Sequence, residues 1–470
     1  MIRKKELNNP IIPVDQIFYD KNSFKIIDWD EKLNIYDLDF KAIIVFCSLG
    51  FMLDDSTFYK NIKTLKPSTN YSFDKNKIIK SNKYWNWSYN PIERSFSDIV
   101  DEFTCLFNNI INKRTQNKSI LLPVSGGLDS RTLFAPIKDK KEVTLCSYEF
   151  ENGFNESETS KKISNEYQLP LYVKKITKGY LWSNLSTVAN LNNCFTDFIH
   201  PRQIAVINDW KKLGDSVLLG HWGDVLFDKH SSLKKTSLDN ELLNLKNQII
   251  KPGGLELASD LWLFYGFEGS FINYITELLL KLYQSINIDH PSARMRAFKS
   301  LYWAPRWTSV NLSIFATLGE IVAPYYSNEL CDFICGVDEY FLDSRKIQIE
   351  YLKKQCSKIA GYPWQKYYPL NLYNYNYFYQ PLYYPARLIR KLKRILQDSD
   401  IIERNWELQF LGKNNIFELE KNLLNTTKEN FIPDFIIKKY LNKFNQNSKK
   451  YAHSISMILT LNTFSNMLKR

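Results

Sequence analysis

The stretch of the chain that decides its fold runs from Ile120 to Ser130 and reads ILLPVSGGLDS. Its first five residues are four aliphatic residues and one proline, a pattern that predicts a strand buried on both faces, as in parallel sheets. A Ser-Gly-Gly turn follows and leads into an apolar segment that predicts a helix beginning near Leu128. Strand, glycine turn and helix together form one unit of an α/β sheet.

The same alternation of strand and helix continues after this unit. Further strands are predicted at residues 143–148, 171–173 and 216–219. Helices are predicted over 96–111, from Ser157 to about Gln168, and over 202–213, where apolar residues follow helical spacing. Alternation at these lengths predicts a doubly wound parallel sheet.

The parts of the chain that flank this sheet have different patterns. Residues 1–88 mix short alternating runs with turns and predict a small α+β domain. Residues 89–366 contain the predicted sheet and then, beyond about residue 254, helical spacing that continues to the C-terminus. Residues 367–470 begin with a connection rich in Tyr, Asn and Pro, up to Pro385, and continue as a basic helical tail.

The composition excludes several classes of protein. Of 470 residues, 44% are hydrophobic and 15% aromatic, which supports a large core and argues against disorder. No apolar run reaches the roughly 18 residues of a membrane helix, and the N-terminus lacks the apolar segment of a secretory signal. The seven cysteines include no Cys-x-x-Cys pair, and the five histidines are scattered, so neither a disulfide framework nor a zinc site is expected. We therefore expect a cytoplasmic protein.

The net charge of +12 is concentrated in the C-terminal part of the chain. Residues 361–470 contain 17 Lys and Arg against 8 Asp and Glu, which is a net +9. This location argues against a nucleic-acid partner, because the predicted sheet is nearly neutral. Within the tail, residues 387–396 predict a basic amphipathic helix. It fits either an anionic membrane surface or polyanion, or an ordinary surface helix packed by its apolar stripe.

The loop that follows the first predicted strand has the features of a phosphate site. In open α/β sheets, ligands bind where such a loop meets a helix N-terminus. Gly126 and Gly127 let the backbone approach an anion closely, while Ser125 and Ser130 add hydroxyl donors. No lysine follows the glycines, so the loop is better suited to holding a departing pyrophosphate than to γ-phosphoryl transfer. Asp129 is unfavourable beside phosphates unless it binds a Mg²⁺ that bridges them.

Four segments of the chain resemble the asparagine synthetase-like superfamily, which includes β-lactam synthetases and lasso-peptide cyclases. Residues 125–130 resemble the loop of pyrophosphate-loop ATPases, and 214–227, GDSVLLGHWGDVLF, resemble the Gly-Glu-Gly-x-Asp-Glu-Leu-Phe signature of asparagine synthetases. Residues 318–326, LGEIVAPYY, are similar to their Glu-x-Arg-x-Pro segment. Residues 55–67, with Tyr84 and Trp85, resemble the end of their N-terminal domain. The four segments follow the family order and cover about residues 40 to 370.

The resemblance implies a pyrophosphate-loop ATPase fold and an ATP-dependent ligase. A small-molecule or peptide carboxylate attacks the α-phosphate of Mg-ATP, pyrophosphate leaves, and ammonia or an amine displaces AMP to form an amide. Pyrophosphate is expected at Ser125, Gly126, Gly127 and Ser130. Mg²⁺ is expected between Asp129 and Asp224. The adenine-contacting edges are expected at Cys146, Ser147, Tyr148 and Gly220.

Three residues are candidates for the bond-forming chemistry. His221 stands where asparagine synthetases carry Glu and β-lactam synthetases carry Tyr, so it is a candidate base for the attacking amine. Glu320 is the candidate to orient His221, and Lys366 the candidate to stabilise the developing negative charge. Structural alternatives stay open: His221 as a hydrogen-bonded residue of the loop, and Lys366 as a surface lysine.

Other positions depart from the family pattern. Val225, Val322 and Ser327 replace the family's Glu, Arg and Asp, so aspartate is not a safe expectation for the substrate. Position 2 is Ile2 and Cys47 lies in mid-chain, so glutaminase activity is not expected. The nitrogen would then come from free ammonia, an amine, or a separate donor protein.

Two further functions compete with the ligase. One is a degenerate member of the superfamily that binds nucleotide and acts as a scaffold, which the accumulated substitutions favour. The other is a different pyrophosphate-loop reaction such as tRNA modification, for which the sequence offers neither a reactive Cys pair nor an evident RNA-binding segment.

Overall fold

The N-terminal part of the chain forms two small antiparallel sheets and one helix in this computed structural model, which describes residues 6–29, 37–153, 157–385, 388, 402, 404–424 and 431–468. The strands are β1 (Glu6–Asn9), β2 (Phe18–Asp20), β3 (Ile26–Ile27), β4 (Ile62–Thr64), β5 (Thr69–Asp74) and β6 (Lys77–Lys83). They pair in the orders β1-β5-β6 and β3-β2-β4. These elements pack against the larger, central part of the molecule.

A five-stranded, all-parallel sheet forms that central part. Its strands are β7 (Ile120–Pro123), β8 (Val143–Phe150), β9 (Leu171–Ile176), β10 (Ser216–Leu218) and β11 (Glu320–Val322). Their order is β11-β10-β7-β8-β9, and every pairing is parallel. The parallel α/β sheet predicted from the sequence is therefore confirmed. The three residues from Ile120 to Leu122 are all buried, and since successive side chains point to opposite faces, both faces of the sheet are covered.

The strand order reverses direction at β7. The chain passes from β7 to β8 and β9 on one side, and then crosses to β10 and β11 on the other. The carboxyl ends of β7 and β10 therefore flank a topological switch point, where the loops that follow two adjacent strands diverge and leave a crevice.

Helices surround the sheet and make up most of the rest of the described chain. The α-helices are α1 (Phe40–Leu49), α2 (Phe96–Arg114), α3 (Leu128–Phe134), α4 (Glu158–Tyr167), α5 (Tyr180–Asn192), α6 (Ile207–Trp210), α7 (Gly223–Leu226), α8 (Leu238–Ile249), α9 (Pro252–Phe264), α10 (Phe271–Gln284), α11 (Pro291–Phe298), α12 (Ser309–Leu312), α13 (Asn328–Cys335), α14 (Glu339–Leu342), α15 (Lys346–Gln355), α16 (Ser357–Ala360), α17 (Asn405–Phe410), α18 (Lys413–Leu424), α19 (Asp434–Gln446) and α20 (Ser448–Met467). No helix among the described residues is both long and apolar enough to cross a membrane.

One continuous core joins the N-terminal, central and C-terminal parts. It includes Ile43 in α1, Leu121 in β7 and Ile458 in α20. Helix α1 packs against α9, and α9 packs against α20. Cys47 lies inside α1 and is fully buried, and burial raises the pKa of its thiol far above the ordinary value. The N-terminal part therefore packs as one layer of the molecule.

Two elements differ from the sequence prediction. Strand β11 lies where only helices were predicted, because a three-residue strand is too short to show an alternating pattern. The single helix predicted over 202–213 is instead a 3₁₀ turn, Arg202–Ala205, followed by the short helix α6. Ile204, Val206 and Ile207 are β-branched, which lowers the helical preference of this segment.

The tail is described only in part. The Tyr-rich connection consists of one-turn 3₁₀ segments at Gln365–Tyr367, Tyr375–Tyr379 and Pro381–Tyr383, in line with the irregular structure predicted. Of the predicted basic helix at 387–396, Leu388 alone belongs to the described residues, and its side chain is exposed. The remaining residues of that prediction lie outside the described part of the chain.

Candidate active site

A cavity of about 670 Å³ opens at the carboxyl edge of the central sheet, at the switch point. Its lining includes Pro123 at the end of β7, Cys146 within β8, which pairs with Pro123, and Leu219 directly after β10. Its volume lies in the range of about 300–1,000 Å³ that small-molecule sites occupy. The cavity is therefore large enough for a nucleotide or a substrate of similar size.

Most of the residues predicted to bind nucleotide lie together in this cavity. Its lining includes Ser125, Asp129, Ser130, Cys146, Ser147, Tyr148 and Gly220, and also His221 and Asp224. Gly126 and Gly127 belong to the same loop but lie behind this lining. The Cys146 thiol is buried, which raises its pKa well above the ordinary value, so it stays protonated.

The loop between β7 and α3 is closed by its own serines. The backbone N–H of Ser125 donates to the hydroxyl of Ser130 at 3.1 Å, and the N–H of Gly127 donates to the hydroxyl of Ser125 at 3.3 Å. Both hydroxyls thus lie at the cavity end of the loop, where Ser125 is exposed.

Arg131 holds the outer side of this loop. Its fully buried guanidinium donates to the carbonyls of Gly126 at 3.1 Å and Tyr362 at 3.2 Å, and to that of Pro363. Burial lowers the pKa of Arg131 to about 10. A Cβ atom at Gly126 would lie 3.0 Å from the Gln365 side chain, which would have to shift by a few tenths of an ångström, so a glycine favours this close packing. The segment around Gln365 therefore becomes part of the site, and Gln365 itself lines the cavity.

Asp129 lies in the first turn of α3 and is engaged by two side chains of the helical part. Its carboxylate accepts a hydrogen bond from Gln348 at 3.1 Å and forms an ion pair with Arg345. Burial raises the pKa of Asp129, Arg345 opposes this shift, and the negative charge of Asp224 raises the pKa further. The two carboxylates are thus close enough to repel each other, and a cation between them would relieve that repulsion.

Two glycines allow the segment that carries Asp224 to approach Asp129. A Cβ atom at Gly223 would overlap the carboxylate of Asp129, and one at Gly220 would lie 3.0 Å from the Cβ of Asp129. The Gly-His-Trp-Gly-Asp sequence, which resembles a signature of asparagine synthetases, therefore needs its two glycines for steric reasons. Asp224 itself lies in α7, next to Gly223, and is exposed at the cavity.

Helix α7 is held by the buried Arg296 and the half-buried His230, which bind one carbonyl. The carbonyl of Val225 accepts hydrogen bonds from Arg296 Nε at 3.1 Å and from His230 Nε2 at 2.7 Å. Arg296 is in turn paired with the buried carboxylate of Glu339. These contacts fix the position of Asp224 in the cavity.

The donor set fits Mg²⁺ better than a metal bound by protein ligands alone. Within the described part of the chain, no group of three or more His, Cys, Asp or Glu residues is placed to hold an ion. Mg²⁺ is commonly bound by one or two carboxylates together with substrate phosphates and water. Asp129 and Asp224 supply two carboxylates in the cavity that the serine loop also lines.

His221 lies in the cavity, between the strand end and α7. Burial lowers its pKa to about 4, Arg202 lowers it as well, and Asp224 opposes the shift. Its Nδ1 is buried and has no hydrogen-bond partner among the described residues. The ring is therefore neutral at neutral pH.

Glu320 does not orient His221, contrary to the prediction. Glu320 begins β11 and pairs in register with Ser216, at the amino end of β10, whereas His221 follows the carboxyl end of β10. Five residues of extended chain correspond to a separation on the order of 15 Å. The Glu320 carboxylate is instead exposed and bonded to Lys118 Nζ at 2.7 Å. The prediction was wrong because it did not recognise β11 as a parallel strand.

Lys366 is exposed and does not line the cavity, although its neighbour Gln365 does. Its Nζ lies 5.3 Å from the ring centre of Tyr367 and 5.9 Å from that of Trp364. The structural alternative, a surface lysine that covers aromatic rings, describes this position in the structure.

Lys299 is a buried cation of the cavity that the sequence prediction missed. Its Nζ donates to Nδ1 of His230 at 3.1 Å, and His230 is an acceptor there because its Nε2 is occupied with the Val225 carbonyl. Burial lowers the pKa of Lys299 to about 8, and Asp224 opposes the shift. At pH 7 the side chain is thus mainly protonated. The repeat Lys299, Trp303, Trp307, at intervals of four, was the available sequence signal.

A second cation, Arg202, faces the cavity from the strand β8 side. Its Nε donates to the hydroxyl of Tyr148, and its guanidinium lies 5.5 Å from the centre of the Tyr148 ring. Arg202 and Lys299 place positive charge in a cavity that also holds Asp129 and Asp224. An anionic ligand bridged to the carboxylates by a cation fits this distribution of charge.

The fold and the cavity together define an α/β protein with a cavity at the switch point of a parallel sheet. No protein-family model matches the chain, and no curated protein matches it either. Any assignment of its function therefore rests on the residues and geometry described above.

Proposed function

We propose that the protein is an ATP-dependent ligase of the asparagine synthetase-like kind, with a pyrophosphate-loop ATPase fold. It would activate a carboxylate by adenylation, with release of pyrophosphate, and then transfer the acyl group to ammonia or an amine with loss of AMP. One observation carries the proposal. The Ser-Gly-Gly-Leu-Asp-Ser loop follows a buried parallel strand at the switch point, and the Asp224 segment meets it in one cavity.

The residues of the cavity support a division of roles along the nucleotide. Ser125 and Ser130 would donate hydrogen bonds to the departing pyrophosphate. Mg²⁺, bound by Asp129 and Asp224, would neutralise charge on the phosphate oxygens. Lys299 and Arg202 would stabilise the negative charge that develops around the α-phosphate, because both lie in the cavity as cations. Cys146, Ser147, Tyr148 and Gly220 would surround the base.

His221 would accept the proton of the attacking amine. With a pKa of about 4, the ring of the free protein is a weak base at neutral pH. Negative charge on nearby phosphates would favour the imidazolium and raise this pKa. His221 would thus become an effective base only after the nucleotide is in place, which links proton transfer to the activated acid.

A nucleotide-binding scaffold is the second candidate, and the state of Asp129 favours it. The ion pair with Arg345 and the hydrogen bond from Gln348 occupy the carboxylate that would bind Mg²⁺. In a ligase, Arg345 would keep Asp129 ionised against burial and yield one oxygen to the ion. In a scaffold, the ion pair would persist.

ATP–pyrophosphate exchange tests the proposal. Purified protein is incubated with Mg-ATP, labelled pyrophosphate and a panel of carboxylic acids, and then with amines to detect amide and AMP. We expect exchange that depends on one class of acid and is lost in Asp224→Asn. Asp215→Asn is the matched control, because Asp215 lies at the amino end of β10, whereas Asp224 follows the carboxyl end of that strand. Asp215 is therefore outside the cavity. Binding of ATP without exchange under any acid would exclude the ligase and favour the scaffold.

A further inference from the structure

One wall of the cavity is a π-helical segment inserted in a continuous helix. Residues Lys299–Thr308 form it between α11 and α12, with Pro305 inside. Proline lacks the N–H donor and its ring crowds the preceding turn, and a wider π turn accommodates both effects. Because a π-helix has more residues per turn than an α-helix, side chains four apart stay close to one face. Lys299, Trp303 and Trp307 accordingly all line the cavity.

The opposite face of this segment is anchored in the N-terminal part. The buried guanidinium of Arg306 donates to the carbonyls of Met52 and Ser56 and to the Gln16 side chain at 2.8 Å. Trp303 stacks on Phe51 with the ring centres 5.7 Å apart and the planes 5° from parallel. The wall is thus rigid, and its rings are held in place without any ligand contact.

The side chains of the wall form a row from a cation to two indoles. Nζ of Lys299 lies 5.7 Å from the ring centre of Trp303, and the rings of Trp303 and Trp307 are 6.1 Å apart. The indole N–H of Trp303 has no hydrogen-bond partner among the described residues. Phe315 lies further along the lining, 6.0 Å from the ring of His221. This row places the Lys299 ammonium at one end and two indole rings beyond it, and Nζ of Lys251 lies 6.0 Å from the ring centre of Trp303.

The row is separate from the elements expected to hold ATP. The phosphate loop follows β7, and the adenine-contacting edges are expected within β8 at Cys146–Tyr148 and after β10 at Gly220, whereas Lys299, Trp303 and Trp307 belong to one helix. Lys299 nevertheless lines the same cavity as Asp224 and the serine loop. The row therefore begins where the α-phosphate would react and leads away from it.

We propose that the acid activated by this protein has an aromatic or similarly large apolar body, which packs on Trp303 and Trp307 while its carboxylate faces Lys299. The inference rests on the ligase function proposed above and specifies its substrate class. A small dicarboxylate would cover little of the indole surface that Trp303 and Trp307 contribute to the cavity lining. An aromatic acid would cover the wall in an offset or edge-to-face arrangement.

Matched pairs of acids in the exchange assay test the inference. The pairs are 3-phenylpropionate with succinate and phenylalanine with aspartate, in which a phenyl group replaces a carboxylate. We expect the aromatic member of at least one pair to give at least about 100-fold higher kcat/KM than its partner. Trp303→Ala and Trp307→Ala should each raise KM for the aromatic acid roughly 10-fold or more, with kcat nearly unchanged. Trp303→Phe should restore most of the loss. Trp85→Ala is the control, because its indole is bonded to Asp332 away from the cavity.

Several results would overturn the inference and leave the ligase function intact: a preference for succinate or aspartate, an unchanged KM in Trp303→Ala, or a Trp303→Ala variant that weakens ATP binding alone. Absence of exchange with every acid would instead count against the ligase. In that case, calorimetry measures the binding of 3-phenylpropionate and tests the wall independently of catalysis. Binding that Trp303→Ala weakens supports the aromatic subsite, whereas no binding, or equal binding by both proteins, overturns it.

Discussion

The two edges of the central sheet carry the same kinds of residue and differ in what surrounds them. At the amino edge, Glu320 is 61% exposed and bonded to Lys118, and the exposed Asp215 accepts a hydrogen bond from the Ser119 hydroxyl at 2.6 Å. At the carboxyl edge, Asp129 and Asp224 share a cavity with the buried Lys299. Both edges therefore have carboxylates and a lysine, although Lys299 comes from the π-helical segment and not from a strand end.

The pKa of an aspartate is shifted in opposite directions at the two edges. Hydrogen bonds from Ser119 lower the pKa of Asp215, whereas burial raises the pKa of Asp129 in spite of Arg345. Exposed charge pairs contribute little to stability, since water screens them. Buried charges cost free energy unless they are matched, and they interact strongly with a ligand. The carboxyl edge is thus the one where chemistry is expected.

The largest expected difference between the edges is in activity. Asp129→Asn and Asp224→Asn should each lower the rate of ATP–pyrophosphate exchange by roughly 10³-fold, because each removes a carboxylate that we propose binds Mg²⁺. Asp215→Asn and Glu320→Gln should stay within about threefold of the unaltered protein. Exchange rates measured at saturating Mg²⁺ check this. Equal losses at both edges would show that the carboxyl edge has no special role.

Replacement of His221 separates amide formation from ATP–pyrophosphate exchange at the carboxyl edge. His221→Phe should lower amide formation by roughly 10²-fold, the usual contribution of a general base, and leave exchange and nucleotide binding nearly unchanged. His290→Phe serves as a control, since that ring packs on Tyr89. Amide formation that survives His221→Phe would remove the residue from the proposed chemistry.

The depressed pKa of His221 also predicts a change in acid stability. An unfolded histidine titrates near 6.5 and the folded one at about 4, so the unfolded state binds more protons between these values. The stability contributed by neutral His221 is complete above pH 6.5 and is lost as the pH falls toward 4. His221→Phe should therefore lose less stability over this interval, by on the order of 2 kcal/mol, as measured by urea unfolding at pH 7 and pH 4.5.

The buried Lys299 predicts a change in stability at alkaline pH. Its folded pKa is about 8 against an ordinary 10.5, so the unfolded state binds more protons between pH 8 and 10.5. Stability should fall as the pH drops from 10.5 to 8 and then level off. Relative to Lys299→Met, the unaltered protein should gain about 3 kcal/mol between pH 8 and 10.5.

Chemical unfolding at several pH values checks this difference. Lys299→Arg is the matched control, because arginine stays protonated throughout and should show no such gain relative to Lys299→Met. A difference between the lysine and methionine proteins that does not vary with pH would contradict the assigned burial of the charge.

The smallest effect is expected at the exposed pair of the amino edge. Glu320→Gln should change the free energy of unfolding by less than about 1 kcal/mol, because Glu320 is mostly exposed. High salt should remove even this difference. A loss well above 1 kcal/mol in urea unfolding would mean that the two edges are energetically more alike than their exposure suggests.

The sequence predicted those residues of the site that directly follow a strand in the chain. Ser125, Asp129 and Ser130 follow β7 directly, and His221 and Asp224 follow β10, so parallel pairing was enough to bring them together. Glu320 and Lys366 were placed by resemblance of short segments, and the structure has neither of them in the cavity. Three-residue strands and exposed turns leave too little pattern for such placements to be reliable.

The sequence by itself determined the strand–glycine–helix unit, the parallel sheet and the set of loop residues at its carboxyl edge, because these depend on hydrophobic pattern and glycine positions that are local in the chain. Only the tertiary structure decided that Arg345 and Gln348 engage Asp129, that Arg131 ties the loop to the segment at 362–365, and that the π-helical row of Lys299, Trp303 and Trp307 forms a wall of the cavity. Most of these contacts join residues more than 170 positions apart. Burial sets the pKa values of Lys299 and His221, and it exists only once the whole core has formed around them.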